Sequence, residues 1–539
     1  MSPAPAAGAA PGSDKLDRRV LAIGGVVVLG AIMAMLDITV VNVALDRLII
    51  EFDTTLDQMQ WVVTGYTLAL ATVIPLSGWA ADRFGTKRIY LTAIFLFMVG
   101  SALAGLAWSA ESLILFRVLQ GLGGGMLMPV GMTILTKAAG PDRVGRVMAV
   151  LGVPMLLGPI VGPILGGYLV DDVSWRWIFF INVPVGIVSL ILGSRILDQD
   201  EPRPTEKFDA LGLLLLSPGL AALIYGLAQV PSHEGVGHPE VYVPALAGAA
   251  LVAGFIWHAA RTPHALIDLK LFRDRGFTLS MLTMVLFVIA FFGAMLMLPL
   301  YFQQVRAEDA LTAGLLLAPQ GFGAMIMMPI SGQLVDRGYA ARMVQFGLVI
   351  IVATMLMFTQ LSDTTSYWTI GAALFVMGLG MGMTMMPVMS IALKSLRQQD
   401  VARASTSLNI IQQVAASIGT AMLSVLLFNE IKDRLTPVLA QLPPAPPGAE
   451  APNATSIRDL PEPVRDLLAP PMADAYSATF VWAVVFLALA FIPALFLPRG
   501  RTAPAEPVAG SAEPLDPATN EPPVIVDEEP EPVGDADRR

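Results

Sequence analysis

Fourteen long apolar blocks run through this 539-residue chain, at 20–45, 59–80, 89–108, 112–136, 147–169, 175–196, 210–230, 241–260, 277–300, 310–332, 342–360, 366–388, 402–429 and 476–497. A helix that crosses a bilayer needs roughly 20 mostly apolar residues, so each block reads as one span, numbered 1 to 14 in order. Hydrocarbon offers the backbone no hydrogen-bond partner, so such blocks must fold as helices. The chain is 55% hydrophobic and 14% charged, against about a quarter charged in a soluble domain. A soluble enzyme, a nucleic-acid binder and a disulfide scaffold are thereby excluded. Cysteine is absent, which removes thiolate metal sites and thiol nucleophiles. The four histidines fall between His233 and His264 beside a span end, where interfacial placement is expected and no metal site. Span 1 is too long for a signal-peptide core and lacks an A-x-A exit, so no cleaved leader is expected.

Basic residues orient the spans. With a cytoplasmic N-terminus, 25 of the 33 Lys and Arg fall on inner segments, 7 on outer loops, and Arg117 within a span. That is the positive-inside pattern, and it predicts that both termini are cytoplasmic. The net charge of −10 sits mostly in the tail, where residues 502–539 carry −8. This Pro-rich tail (498–539) and the lead (1–19) read as disordered cytoplasmic segments. The tail's acidity says little about any substrate.

An internal repeat supports the same count. Pro75, Gly78, Asp82 and Arg83 recur as Pro329, Gly332, Asp336 and Arg337, an offset of 254. Gly121 to Met126 recurs as Gly378 to Met383, and Arg146, Leu151 and Gly162 recur as Arg403, Leu408 and Gly419, all at 257. Each shift is eight spans. The expected architecture is all-α: a six-helix half (20–196), two inserted helices (210–260) and a second six-helix half (277–497). Parallel halves of this kind place a substrate site between them.

Ionisable groups inside spans are costly and rarely idle. Only Asp37 and Arg117 lie well inside the blocks. At 1.5 Å per residue they sit about 12 Å and about 8 Å below the outer surface, so the two can pair if their helices adjoin. Arg117 aligns with Leu374 in the repeat, so the charge belongs to the first half alone. An apolar setting favours the neutral acid and a nearby guanidinium favours the carboxylate. Asp37 is therefore expected to bind a proton or a cationic substrate in the cavity. The alternatives are a static Asp–Arg clamp, or an Arg117 that reaches up to the headgroups.

Three further patterns stand out. The turn from Gly78 to Arg88 combines Gly85, Asp82 and the cations Arg83, Lys87 and Arg88. Simple inner-face anchoring explains the cations but not Asp82, so Asp82 and the three cations are expected to form an ion-pair set, a conformational latch, with Asp336 and Arg337 as its second copy. Span 5 carries Gly152, Gly158, Gly162, Gly166 and Gly167 with Pro154, Pro159 and Pro163. Small residues spaced by four let another helix pack closely, and prolines bend the helix. Generic packing is the plainer account, although three prolines exceed what packing needs. Span 13 has Asn409, Gln412 and Gln413 in the matching region, amides that either line a cavity or bind a neighbouring helix.

On these residues the chain resembles the 14-span drug:proton antiporters of the major facilitator superfamily, the EmrB/QacA type. Leu36 to Leu45 is similar to that subfamily's span-1 motif, and Gly78 to Arg88 to the superfamily loop motif. Arg117 to Gly121 is similar to the span-4 motif with its proton-relay arginine, and Gly152 to Gly167 to the antiporter signature. Trp175 to Gly186 is also typical. The motifs add Asn42 and Gln120 to the cavity candidates. The resemblance implies export of hydrophobic or cationic small molecules from a cell membrane, driven by inward proton flow through alternating access, with no cofactor. No nucleotide is implied, and no G-x-x-x-x-G-K-[ST] loop is present. Two departures matter: Asp46 stands where the span-1 motif usually ends in proline, and span 10 lacks the carboxylate that some relatives use for divalent drugs.

Two other functions are compatible with many spans. A lipid or metabolite exporter with the same coupling would suit the 28 methionines, which are also ordinary membrane packing. A polytopic enzyme would need clustered acids or histidines in a sizeable loop, and the long outer loop, 430–475, is Pro-rich with scattered charges. That loop is where an envelope partner would meet the protein.

Overall fold

The computed structural model describes residues 17–498 apart from 141–142, 148–160, 163–164, 200–207, 231–234, 263, 398–399 and 440–461. Thirteen helices among these residues are long and apolar enough to cross a membrane, and no described residue is in a strand. Most of span 5 lies outside the described residues, as do residues 1–16 of the lead and 499–539 of the tail; Arg18 and Arg19, expected in the disordered lead, instead begin the span-1 helix. The helices begin where polar side chains can take up free backbone N–H groups. Thr55 accepts from Gln58 at the start of span 2 (Leu56–Phe84). Ser109 and Ser112 cap each other reciprocally at the start of span 4 (Ala110–Ala139). Asp209, Asp274 and Asp309 cap spans 7 (Ala210–Ala228), 9 (Arg275–Gln304) and 10.

Two spans are interrupted. Span 6 is a short helix, Trp177–Phe180, followed by Asn182–Ile196. Span 10 breaks at Leu317, between Ala310–Leu316 and Ala318–Asp336, just before Pro319. Proline has no N–H to give the preceding turn.

The helices bounding the 430–475 loop are longer than hydropathy predicts. Span 13 is a helix from Val401 to Leu439 and span 14 one from Glu462 to Leu495. A hydropathy boundary marks where side chains leave hydrocarbon, whereas a helix continues as long as its local contacts allow. Here Arg434 holds Glu430 one turn away at 3.0 Å.

Packing repeats at the same eight-span shift as the motifs. Span 4 packs on spans 1 (Arg18–Phe52), 2 and 3 (Thr86–Gly105), and span 12 (Tyr367–Lys394) packs on spans 9, 10 and 11 (Ala340–Phe358). Span 6 lies on spans 1 and 3, as span 14 lies on spans 9 and 11. Between the halves, span 13 meets spans 2 and 4. The inserted spans 7 and 8 (Pro239–Ala259) pair with each other, and span 7 docks on spans 2 and 13. Ser217 donates to the Thr72 carbonyl at 2.6 Å, and Tyr225 stacks on Trp61. The insertion therefore covers the seam between the halves.

Candidate functional site

Span 1 carries Asp37 against spans 4 and 6. Arg117 Nη1 lies 2.5 Å from Asp37 Oδ2. Gln120, one turn along span 4, donates to Asp37 Oδ1 at 2.7 Å and accepts from Arg117 at 2.7 Å. Asn182 at the break in span 6 donates to the same Oδ1 at 3.3 Å and to Ser101 at 3.0 Å. Arg117 Nε donates to the Val62 carbonyl, and its guanidinium lies 4.1 Å over the Tyr66 ring. Asp37 and Arg117 are each 1% exposed. Both carboxylate oxygens are thus occupied in a site closed to water. A buried charge is tolerated only when paired and hydrogen-bonded in this way.

Glycines permit these approaches. A methyl group at Gly100 would strike the Gln120 backbone, and one at Gly121 the Tyr66 carbonyl. The Tyr66 hydroxyl is buried with no hydrogen-bond partner among the described residues and lies against Gly124, one turn beyond Gln120. Ser101 and Tyr66 were not among the residues singled out from the sequence, and Asn182 stood only inside the Trp175 to Gly186 motif, with no site role. A lone amide two residues after Phe180 in an apolar span was the available signal for Asn182.

A cavity of about 640 Å³ lies between the halves, with Gly124 in its wall. Span 1 contributes Ala34, Met35, Ile38 and Thr39, but not Asp37. The sequence placed Asp37 in the cavity; in this conformation its carboxylate is directed into the first helical half instead. Gln120 is likewise fully buried beside Asp37 and off the cavity wall. Asn42 lies on the span-1 helix, and its side chain is outside the described residues. The span-13 amides Asn409, Gln412 and Gln413 do line the cavity, joined by Gln320. Span 7 adds Ile224, Leu227 and Ala228, so the inserted helices are part of the wall.

The latch residues sit at the other end of the seam. Asp336 lies 3.2 Å from Arg146 and 3.1 Å from Lys394, and accepts from the Gly145 N–H at 2.9 Å. Its counterpart Asp82 reaches Arg403, the repeat counterpart of Arg146, at 4.0 Å. Each aspartate therefore crosses to the opposite half. That arrangement was not visible in the turn, where Asp82 was expected to pair with its neighbouring cations. Lys87 instead donates to the Ser194 and Leu197 carbonyls at the end of span 6. Arg88 is exposed and Arg83 partly so, neither with a described ion-pair partner, and Arg337 follows Asp336 at the helix end. Gly85 and Gly338, at φ 91° and 92°, make the two matching reversals, a backbone conformation that L side chains resist. Gly78 packs against Thr406, whose hydroxyl lies 3.1 Å from that of Ser77.

Of the span-5 signature, Gly152, Gly158, Pro159 and Pro163 lie outside the described residues. Gly162 and Gly166 pack directly on Thr39 and Val40 of span 1, whereas Gly167 faces open space. The bare stripe is therefore the surface on which the segment next to Asp37 rests.

The sequence profile of the Major Facilitator Superfamily matches residues 27–420. The chain is 43% identical over 494 residues to the "Multidrug resistance protein B homolog" of Mycobacterium tuberculosis (strain ATCC 25618 / H37Rv), covering 90% of this chain and 91% of that protein. It is 30% identical over 427 residues to "Multidrug export protein EmrB" of Escherichia coli (strain K12), covering 78% and 83%. Among solved structures, the human organic anion transporter MFSD10 (TETRAN) superposes with a TM-score of 0.57 at 14% identity, covering 88% of this chain and 100% of that one. The proton:xylose symporter XylE gives 0.52 at 13% identity, covering 89% and 96%. At such identities the two structures speak for the fold alone.

Proposed function

We propose, proceeding from the fact that this chain belongs to the Major Facilitator Superfamily, that it exports hydrophobic or cationic small molecules across the cell membrane in exchange for protons. Its relatives' names, a multidrug resistance protein homologue and a multidrug export protein, support the export of drugs. Both termini face the cytoplasm, as the Lys and Arg distribution predicts, and no nucleotide or cofactor takes part.

One observation carries the coupling. Span 1 has Asp37 on one flank and the cavity residues Ala34, Met35, Ile38 and Thr39 beside it. When Asp37 is ionised, Arg117, Gln120 and Asn182 hold span 1 against spans 4 and 6. Protonation removes the charge that Arg117 neutralises, loosens that grip and lets span 1 shift. The cavity wall moves with it, so proton occupancy and substrate fit depend on the same helix. Asp82–Arg403 and Asp336–Arg146 close the inner face in one state and part in the other. A ligand binding the two states unequally then drives the exchange.

The test is an everted-vesicle assay. Substrates are expected to collapse a preset proton gradient with the wild-type protein and not with Asp37→Asn. Undiminished collapse with Asp37→Asn would remove Asp37 from the coupling; no collapse with any compound of a broad panel would remove antiport.

A further inference from the structure

We infer that the transported molecule is an uncharged, largely aromatic or aliphatic compound with hydrogen-bonding groups along one edge, and that permanent cations are poor ligands. This rests on the export reading above and narrows its substrate class. No ionisable side chain is among the described residues lining the cavity. The sequence at 148–160 and 163–164 holds no ionisable residue. The acid that lies well inside the apolar blocks, Asp37, is turned away and already neutralised by Arg117. A cation entering this space would lose its water and find no carboxylate, and burying an unpaired charge is strongly unfavourable. Phe291 and Phe292 offer ring faces, but phenylalanine is a weaker cation partner than tryptophan.

Most of the polar side chains in the wall stand on span 13, with Gln320 of span 10 and the hydroxyls of Thr39 and Thr67 apart from them. Asn409, Gln412, Gln413, Ser417 and Thr420 recur at helical spacing along span 13 and all reach the cavity. Asn409 gives one of its two amide hydrogens to the Ser405 carbonyl at 2.8 Å. The Gln412 and Gln413 side chains make no hydrogen bond to any described residue, so each can both donate and accept. The same wall holds Phe291, Phe292, Met295, Met381 and Met385, rings and thioethers that adapt to varied apolar shapes. An apolar cavity with a few convergent polar groups is the usual form of a small-molecule site, and here those groups are uncharged.

The discriminating probes are acridone and 10-methylacridinium, which share one ring system. Acridone is neutral, with an N–H donor and a carbonyl acceptor; 10-methylacridinium has a fixed positive charge and neither group. Each is titrated by fluorescence anisotropy into full-length protein in lipid nanodiscs, with empty nanodiscs subtracted. Acridone is expected to bind at least about tenfold more tightly. Gln412→Leu or Gln413→Leu should weaken acridone by about threefold to tenfold, the loss of one hydrogen bond, and leave 10-methylacridinium unmoved. Equal or tighter binding of 10-methylacridinium to the wild-type protein, or binding of neither probe, overturns the inference without needing any variant to fold. Gradient collapse in everted vesicles by cations alone would overturn it while leaving export intact. Preferential acridone binding with no collapse by any compound would sustain the cavity's preference and remove the export reading.

Discussion

Gln120 donates to Asp37 at 2.7 Å and, through its other amide atom, accepts from Arg117 at 2.7 Å. The amide thus ties both members of the buried ion pair to a single turn of span 4. Such a closed set responds as a unit, because losing the charge on Asp37 leaves both of its neighbours needing new partners.

Asp37→Asn is expected to abolish proton-linked export, with a loss of at least about tenfold, because asparagine cannot ionise to take up and release a proton at this site. Export measured at several external pH values should also lose its pH dependence. Export that keeps the wild-type pH profile would show that the coupling proton binds elsewhere.

Arg117→Met strands a buried carboxylate and should destabilise the protein by about 3 kcal/mol or more. The paired change Asp37→Leu with Arg117→Met should recover much of that loss in thermal denaturation while restoring no transport. Equal stability of the single and paired variants would mean that the pair contributes no structural interaction.

The chain contains no cysteine, so introduced pairs report without background. Ser77→Cys with Thr406→Cys places two thiols where the hydroxyls are 3.1 Å apart across the seam. Oxidation should form the disulfide, stop export and trap the inner face closed; reductant should restore it. Export unaffected by a fully formed disulfide would mean that this end of the seam does not open.

Gly162→Val is expected to remove transport, since its side chain would overlap Thr39. Thr39→Ala should partly rescue a Gly162→Ala variant by clearing the space. Wild-type activity in Gly162→Val would show that spans 1 and 5 need not approach this closely.

Much of this was legible along the chain. Hydropathy located every described span, and the repeated motifs at offsets of 254 and 257 matched the eight-span recurrence of helix packing. Asp37 and Arg117 were found as the two charges inside spans, since transfer of a charge to hydrocarbon is a local cost that depends little on neighbours. The amides of span 13 were found too, although only the structure showed that they face a cavity.

What the chain alone left open was lateral. Asn182 and Tyr66 join the ion pair, Asp82 and Asp336 exchange partners between halves, and span 7 becomes part of the cavity wall. The direction of Asp37, into its own half and away from the cavity, belongs to the same class. Each depends on which helices are neighbours and how each is rotated. Those choices follow from close packing of side chains on segments far apart in sequence, such as Gly100 on Gln120 and Gly162 on Thr39. The solvent preference of each residue decided what enters the membrane; contacts between distant helices decided where the proton site ends and the substrate cavity begins.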